Sequence, residues 1–379
     1  MLSVVLAVSG VEAYLPGCLD SVLGQPDPPG GVEVIAVDDA SPDACGTILD
    51  ARARADPRLR VVHLAAPAGP GPARMRGLAQ AAGAYVWFAD PDDLLTPGSL
   101  AAVAARLERD RPDVLLLDYR ILRPDGGTGP SPGAGLLARP PGAGGVCTLA
   151  DRPALIDRTM TLWSKVFRRD FLTGLGIALP PGIHEDVPVS AGALLAAERI
   201  ALLDRACYLY RRRSGSFLAT AGTAHFAIFT SYARVFALLE PGGTGAAAGL
   251  AAGPAVRAAV FGRAVEHYSS ILASGLVPRR ARRRFFARMA AEFAQHVPPG
   301  YRRPAGFRGL KAELIRRDAY RAYALLAPLN RARVAVRWNR PSARRTAGRP
   351  RRVGTAVTEQ SGDEGLMRRC DTSSGSSWR

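Results

Sequence analysis

Five short apolar runs rich in β-branched residues, at positions 3–8, 32–37, 59–64, 84–89 and 113–119, alternate with segments of helical spacing. That alternation constrains the fold more than any other feature. The first helical segment carries Leu15, Cys18, Leu19 and Val22, another spans about 44–55, and a third has the stripe Leu100, Val103, Ala104 and Leu107. Runs without polar alternation suit strands covered on both faces by helices. The pattern predicts an α/β fold with a doubly wound, mainly parallel sheet. Ligands of such sheets bind beyond the carboxyl ends of the strands.

Acidic residues stand at two of those ends. Residues 32–37 run into Asp38 and Asp39, and residues 84–89 into Asp90, Pro91, Asp92 and Asp93. Carboxylates crowded into one turn raise one another's pKa unless a cation sits among them. Hard oxygen ligands favour Mg2+ or Mn2+. A plain Asx-turn and helix N-cap explains the same residues, and capping alone accounts for Asp93. Between the two acidic turns, residues 68–77 form a Gly/Pro loop with Arg74 entering a helix, either an anion site or an ordinary loop. Thr96 is expected to cap the next helix and Pro97 to start it.

Further along, residues 124–146 are Gly/Pro-rich without periodicity and read as a flexible insertion, a candidate lid. A segment at 162–169 holds Trp163 and Lys165, and Glu185 and Asp186 precede a helix expected over about 188–198. Residues 208–216 read as a strand entering a basic turn with Arg211 and Arg213. From 224 to 329 the pattern is helical, broken near 241–245, 278 and 298–304, and residues 354–379 are expected to be disordered.

The charge is unevenly placed. The chain has 379 residues and a net charge of +17, yet residues 279–352 alone hold 21 Arg and one Lys against three acids, a surplus of +19. The remainder is near neutral. A basic helical region suits an anionic membrane face or a polyanionic acceptor at least as well as nucleic acid, for which no recognised motif is present. The five cysteines are widely spaced without a CxxC. Together with the absence of a basic leader or an apolar run of membrane-spanning length, they suggest a cytoplasmic protein, docked at most peripherally on the inner membrane face.

Residues 3–8, Tyr14-Leu15 with residues 18–23, residues 37–43, the glycine-arginine loop, the strand into Asp90-Pro91-Asp92-Asp93, and Glu185-Asp186 follow one another in the order of family 2 inverting glycosyltransferases. Over roughly residues 3–216 the chain resembles that family, which implies a GT-A fold. Residues 38–46, 149–153 and 180–186 are similar to the glycosyltransferase half of actinobacterial teichoic-acid-type proteins, often fused to a glycerophosphotransferase. This chain ends before such a domain would fit, as a stand-alone or truncated form. The first strand ends Ala7-Val8-Ser9-Gly10 where the family usually has Pro-Val-Tyr-Asn, and Arg74-Met75 replaces Arg-Asn. Both departures fall around the nucleotide pocket.

The resemblance implies a division of the GT-A part into residues 1–118 for the nucleotide-sugar and 119–220 for the acceptor, and the helical pattern and composition add a basic helical region at 221–338 and a disordered tail at 339–379. It implies a nucleotide-sugar donor, of UDP type, contacted by Val8, Asp38, Asp39, Arg74, Asp90, Arg211 and Arg213. Asp92, with Asp90, would hold Mg2+ or Mn2+, and Asp186 would be the base with Glu185 beside it. Trp163 and Lys165 would meet a cell-envelope polymer or lipid-linked acceptor, although a core Trp and a solvated Lys explain them equally. Two alternatives stay open. A sugar-phosphate nucleotidyltransferase would need a Gly-rich, Lys-ended loop after the first strand, which residues 8–15 lack; a degenerate GT-A-like binding module would retain the fold without turnover.

Overall fold

The computed structural model describes residues 1–133, 135–138, 145–157, 160–213, 220–240, 252–326 and 329. The chain divides into Met1–Ser342 and Ala343–Arg379, and the second unit lies outside the described residues. So does the expected disordered tail.

The strands are β1 (Leu2–Val8), β2 (Val32–Asp38), β3 (Leu59–His63), β4 (Tyr85–Ala89), β5 (Leu94–Leu95), β6 (Val114–Leu122), β7 (Thr128–Pro130), β8 (Val146–Cys147), β9 (Lys165–Arg168) and β10 (Ile200–Arg211). They form one sheet in the order β3-β2-β1-β4-β9-β6-β10-β5, with β7 on β6 and β8 on β10. The long ladders, β1 with β2 and β4, β2 with β3, and β6 with β10, are parallel, as expected. One departure is β9, which runs antiparallel between β4 and β6 in mid-sheet. Only four residues long, it gives too short a pattern to stand out in sequence.

Helices α1 (Leu15–Leu23), α2 (Cys45–Ala55), α3 (Pro70–Gln80), α4 (Ser99–Asp110), α5 (Arg169–Gly174) and α6 (Asp186–Ala196) are interleaved with the strands. Apolar residues of β1, β2 and β4 point alternately to two cores. Val5, Ile35 and Phe88 join one, and Val4, Val34 and Trp87 the other. This two-sided burial is why the strands read as continuous apolar runs. The remaining helices, α7 (Ala227–Ala237), α8 (Pro254–Ala273), α9 (Arg282–His296), α10 (Gly306–Arg316) and α11 (Tyr320–Leu325), confirm the C-terminal helical pattern. Rings of Phe229 and Phe285, 4.7 Å apart, knit α7 to α9 in the first core. Among the described residues no helix is long and apolar enough to cross a membrane.

Three local expectations need correction. Helix α4 begins at Ser99 after Gly98 in the left-handed conformation (φ 70°), rather than at Pro97. Thr96 does not cap it, because its hydroxyl donates to the Ala206 carbonyl at 2.8 Å where β5 meets β10. Helix α6 starts two residues before the expected 188, so Asp186 is its first residue. The segment 124–146 is not wholly irregular: β7 turns back on β6, β8 pairs with β10, and Leu137 is buried in the core. Positions 134 and 139–144, in the stretch read as a lid, lie outside the described residues.

Candidate active site

The register places Val8 opposite Asp38 and Leu6 opposite Ala89, so both acidic turns leave the same edge of the sheet. Asp38 is nearly enclosed. One oxygen accepts the Ser41 N–H at 3.0 Å and the other meets His63 Nδ1 at 2.9 Å. Burial alone would raise its pKa, but these hydrogen bonds outweigh it and the net shift is downward. His63, which also meets Asp50 at 3.1 Å, is shifted upward by Asp38 and then Asp50. Asp39 accepts the backbone N–H groups of Ala68 at 2.6 Å and Gly69 at 2.9 Å. It thereby ties down the chain just ahead of α3. Gly71 is required there, since a Cβ would lie 2.4 Å from the Pro180 carbonyl oxygen. Val8 offers only backbone: its side chain is buried, and its carbonyl accepts the Asp39 N–H at 2.8 Å.

Helix α3, anchored in this way, delivers Arg74 to the acids of two distant segments. Its guanidinium donates to Asp90 Oδ1 at 2.8 Å and to Glu185 Oε1 at 2.5 Å. Burial lifts the Asp90 pKa while Arg74 pulls against it. Beside Glu185, burial and then the Glu185 charge push the Asp186 carboxyl up to about 8, opposed by Arg74 and more weakly by Lys165. The acidic turn is braced from the other side by β10. The Tyr208 hydroxyl accepts the Asp90 N–H at 2.9 Å. Arg211 donates its backbone N–H to Asp93 Oδ1 at 2.6 Å and its Nε to the Asp92 carbonyl at 2.8 Å, and Arg213 Nε reaches Asp92 Oδ2 at 2.7 Å. Both guanidiniums lie over the Tyr14 ring, at 5.3 and 5.2 Å from its centroid.

Asp93 is therefore a brace for β10 and not a helix cap. It is buried, and burial followed by the charges of Asp90 and Asp92 hold its pKa well above the usual carboxylate range. Asp92 and Asp90, with side chains 19% and 26% exposed, remain the carboxylates open to a ligand. Their hard oxygens are of the type that would suit Mg2+ or Mn2+, but among the described residues no group of three or more His, Cys, Asp or Glu side chains is gathered to hold an ion.

Residues 3–134 match the profile of glycosyl transferase family 2. Over those residues the chain is similar to family 2 glycosyltransferases. The sequence is 27% identical over 220 residues to the uncharacterized glycosyltransferase EpsJ of Bacillus subtilis, covering 57% of this chain and 62% of EpsJ. It is 32% identical over 202 residues to the succinoglycan biosynthesis protein ExoO of Rhizobium meliloti, covering 49% and 53%. It is 29% identical over 223 residues to the poly(ribitol-phosphate) beta-N-acetylglucosaminyltransferase TarS of Staphylococcus aureus, covering 58% and 37%. The chain thus spans less than two thirds of each of these relatives. The crystal structure of S. aureus TarS 1–349 in complex with UDP-GlcNAc superimposes with a TM-score of 0.65 at 23% identity, over 87% of this chain and 91% of that one. The fold is GT-A.

Within the GT-A fold, Trp163 and Lys165 are buried rather than open to a ligand. Trp163 is 5% exposed, parallel to the rings of Tyr208 at 4.7 Å and Tyr210 at 5.3 Å and edge-on to Tyr119. A ring so covered offers no open face to a sugar. Lys165 is fully buried, with its ammonium on the Thr161 carbonyl at 2.7 Å and the Ser164 hydroxyl at 3.3 Å, so it is not a solvated lysine either. Tyr14, His63 and Tyr208 were not singled out from sequence as site residues. Tyr208 and Tyr210 share one parity of β10 and Arg211, its last residue, the other, the one signal that could have marked that strand as a wall of the site.

Proposed function

We propose that this chain is a metal-dependent inverting glycosyltransferase that moves a sugar from a UDP-type donor to a hydroxyl of a cell-envelope polymer or lipid-linked acceptor. The observation that carries the reading is the Arg74 bridge, which draws Asp90 of the donor side and Glu185-Asp186 of the opposite side into one electrostatic unit. Binding of UDP-GlcNAc by TarS supports the donor class, and the names of ExoO and TarS support an envelope acceptor.

In this reading Asp92, with Asp90, holds the divalent ion, which when bound answers the negative charge that builds on the leaving diphosphate. Arg211 and Arg213 approach the same diphosphate from the Tyr14 side. Arg74 fixes Asp90 and Glu185 and lowers the pKa of Asp186 by its charge. Asp186 then takes the proton of the attacking hydroxyl on the face opposite the leaving group, as inversion requires. The basic C-terminal helices suit a polyanionic acceptor or an anionic membrane surface.

Thermal melting with Mn2+ against UDP-, GDP-, CDP- and dTDP-sugars tests the proposal. A ligand that binds only the native state raises the melting temperature. A metal-dependent rise with UDP-sugars is expected; no rise with any donor would favour a binding module.

A further inference from the structure

The residue just ahead of Glu185 and Asp186 is held from outside the sheet. His184 has φ 61°, a left-handed conformation that costs energy in any residue with a side chain and persists only where the surroundings over-determine it. Here the surroundings are the residues beyond β10. Ser231 Oγ of α7 donates to the His184 carbonyl at 2.9 Å. His184 Nε2 and His225 Nδ1 lie 3.2 Å apart, and His225 Nε2 lies 3.1 Å from the Thr220 carbonyl. Burial, followed by the charge of His225, pushes His184 down to about 4, and burial lowers His225 as well, so both rings are neutral. A carbonyl only accepts; His225 therefore carries its hydrogen on Nε2, and its bare Nδ1 accepts from His184 Nε2. A third ring, His267 of α8, stands edge-on to His184 at 5.6 Å and is joined at 3.2 Å to the Tyr232 hydroxyl of α7.

The His184 carbonyl is also met by the Val187 N–H at 3.4 Å, so the oxygen that Ser231 holds belongs to the first turn of the helix that carries Asp186. Glu185 and Asp186 are the next two residues, and any rotation about the His184 backbone moves both carboxylates. Arg74 holds Glu185 from the donor side, and the histidines hold the chain from the other. We propose that His184, with Ser231 and His225, positions the Glu185-Asp186 pair, which makes the helical region beyond β10 a working part of the transfer site and not only a docking surface. The inference rests on the reading of Asp186 as the base. His184 is a positioning residue, acting through the backbone it fixes.

Steady-state release of UDP by the full chain, with water as acceptor and the UDP-sugar that stabilises it most in thermal melting, tests this. His184→Gly adopts φ 61° without strain but loses every ring contact. Its kcat should fall about a hundredfold, the cost of misplacing a reacting group by about 1 Å, with donor KM near wild type. Ser231→Ala, the milder change that guards against a folding failure, should lower kcat in the same direction by a smaller factor. A ring that only filled the core would lower the melting temperature and leave the kcat of the folded protein alone. Wild-type kcat in folded His184→Gly, or in Ser231→Ala should the glycine variant not fold, overturns the proposal. So does a loss of kcat matched by an equal loss of UDP affinity. Near-normal turnover in Asp186→Asn instead removes the base reading on which the proposal stands.

Discussion

Arg74 and Glu185, 111 positions apart, meet at 2.5 Å, and the same guanidinium holds Asp90 at 2.8 Å. With its side chain only 12% exposed, Arg74 compensates the buried Glu185 and the partly buried Asp90. Arg74→Met should cost about 3 kcal/mol of stability, since breaking a buried ion pair leaves a charge uncompensated. Urea denaturation gives the value, and a loss below about 0.5 kcal/mol, typical of exposed pairs, would show that the bridge is not a structural anchor.

Asp186→Asn should keep donor affinity and lose transfer by about 10²–10⁴-fold, the usual contribution of a positioned base. Near-normal turnover in the variant would take the base role away from Asp186.

The pH profile follows from the same residue. With its pKa pushed up to about 8, Asp186 is protonated below that pH and competent above it. In the free enzyme kcat/KM should fall about tenfold per pH unit on the acid side of 8. The stability sign is the reverse: the folded state holds a proton the unfolded chain has released, so stability falls as pH rises from the usual carboxylate range through about 8. Asp186→Asn should remove that fall, raising the melting temperature at pH 8 relative to wild type. A variant that melts lower across the whole range would contradict the assignment.

Asp39→Ala strips acceptors from the Ala68 and Gly69 N–H groups that set the start of α3. We expect a loss of about 1–2 kcal/mol, the worth of part-buried hydrogen bonds to a charged acceptor, with weaker UDP binding because Arg74 rides on that helix. Calorimetry and denaturation together decide it; weaker UDP binding at unchanged stability would point to direct contact with the nucleotide.

Trp163→Ala should destabilise the fold by about 3–5 kcal/mol, as for a large core aromatic. A raised acceptor KM at unchanged stability would restore the sugar-platform role that its packing between β6 and β10 denies.

Much of this architecture was legible in the chain. The apolar runs of β1, β2, β4 and β6 announced strands buried on both faces, and hydrophobic period is a local property. The acidic turns after β2 and β4 could be placed at one edge because parallel strands put their carboxyl ends together. What lay hidden was pairing across distance. Strand β9 is too short to carry a period and owes its antiparallel place to the gap between β4 and β6. Trp163 read equally well as an acceptor contact or as a core residue, because a sequence does not say which face of an aromatic ring is covered. Asp38 and Asp39 looked alike as neighbours, yet one turns to His63 and the other to the backbone before α3. The sequence by itself determined the strand-helix alternation and which carboxylates stand at strand ends, since both depend on neighbours in the chain. Only the tertiary structure decided that Arg74 would join Asp90 to Glu185 and that Arg213 would hold Asp92, because ion pairs form between side chains that folding, not sequence order, brings within 3 Å.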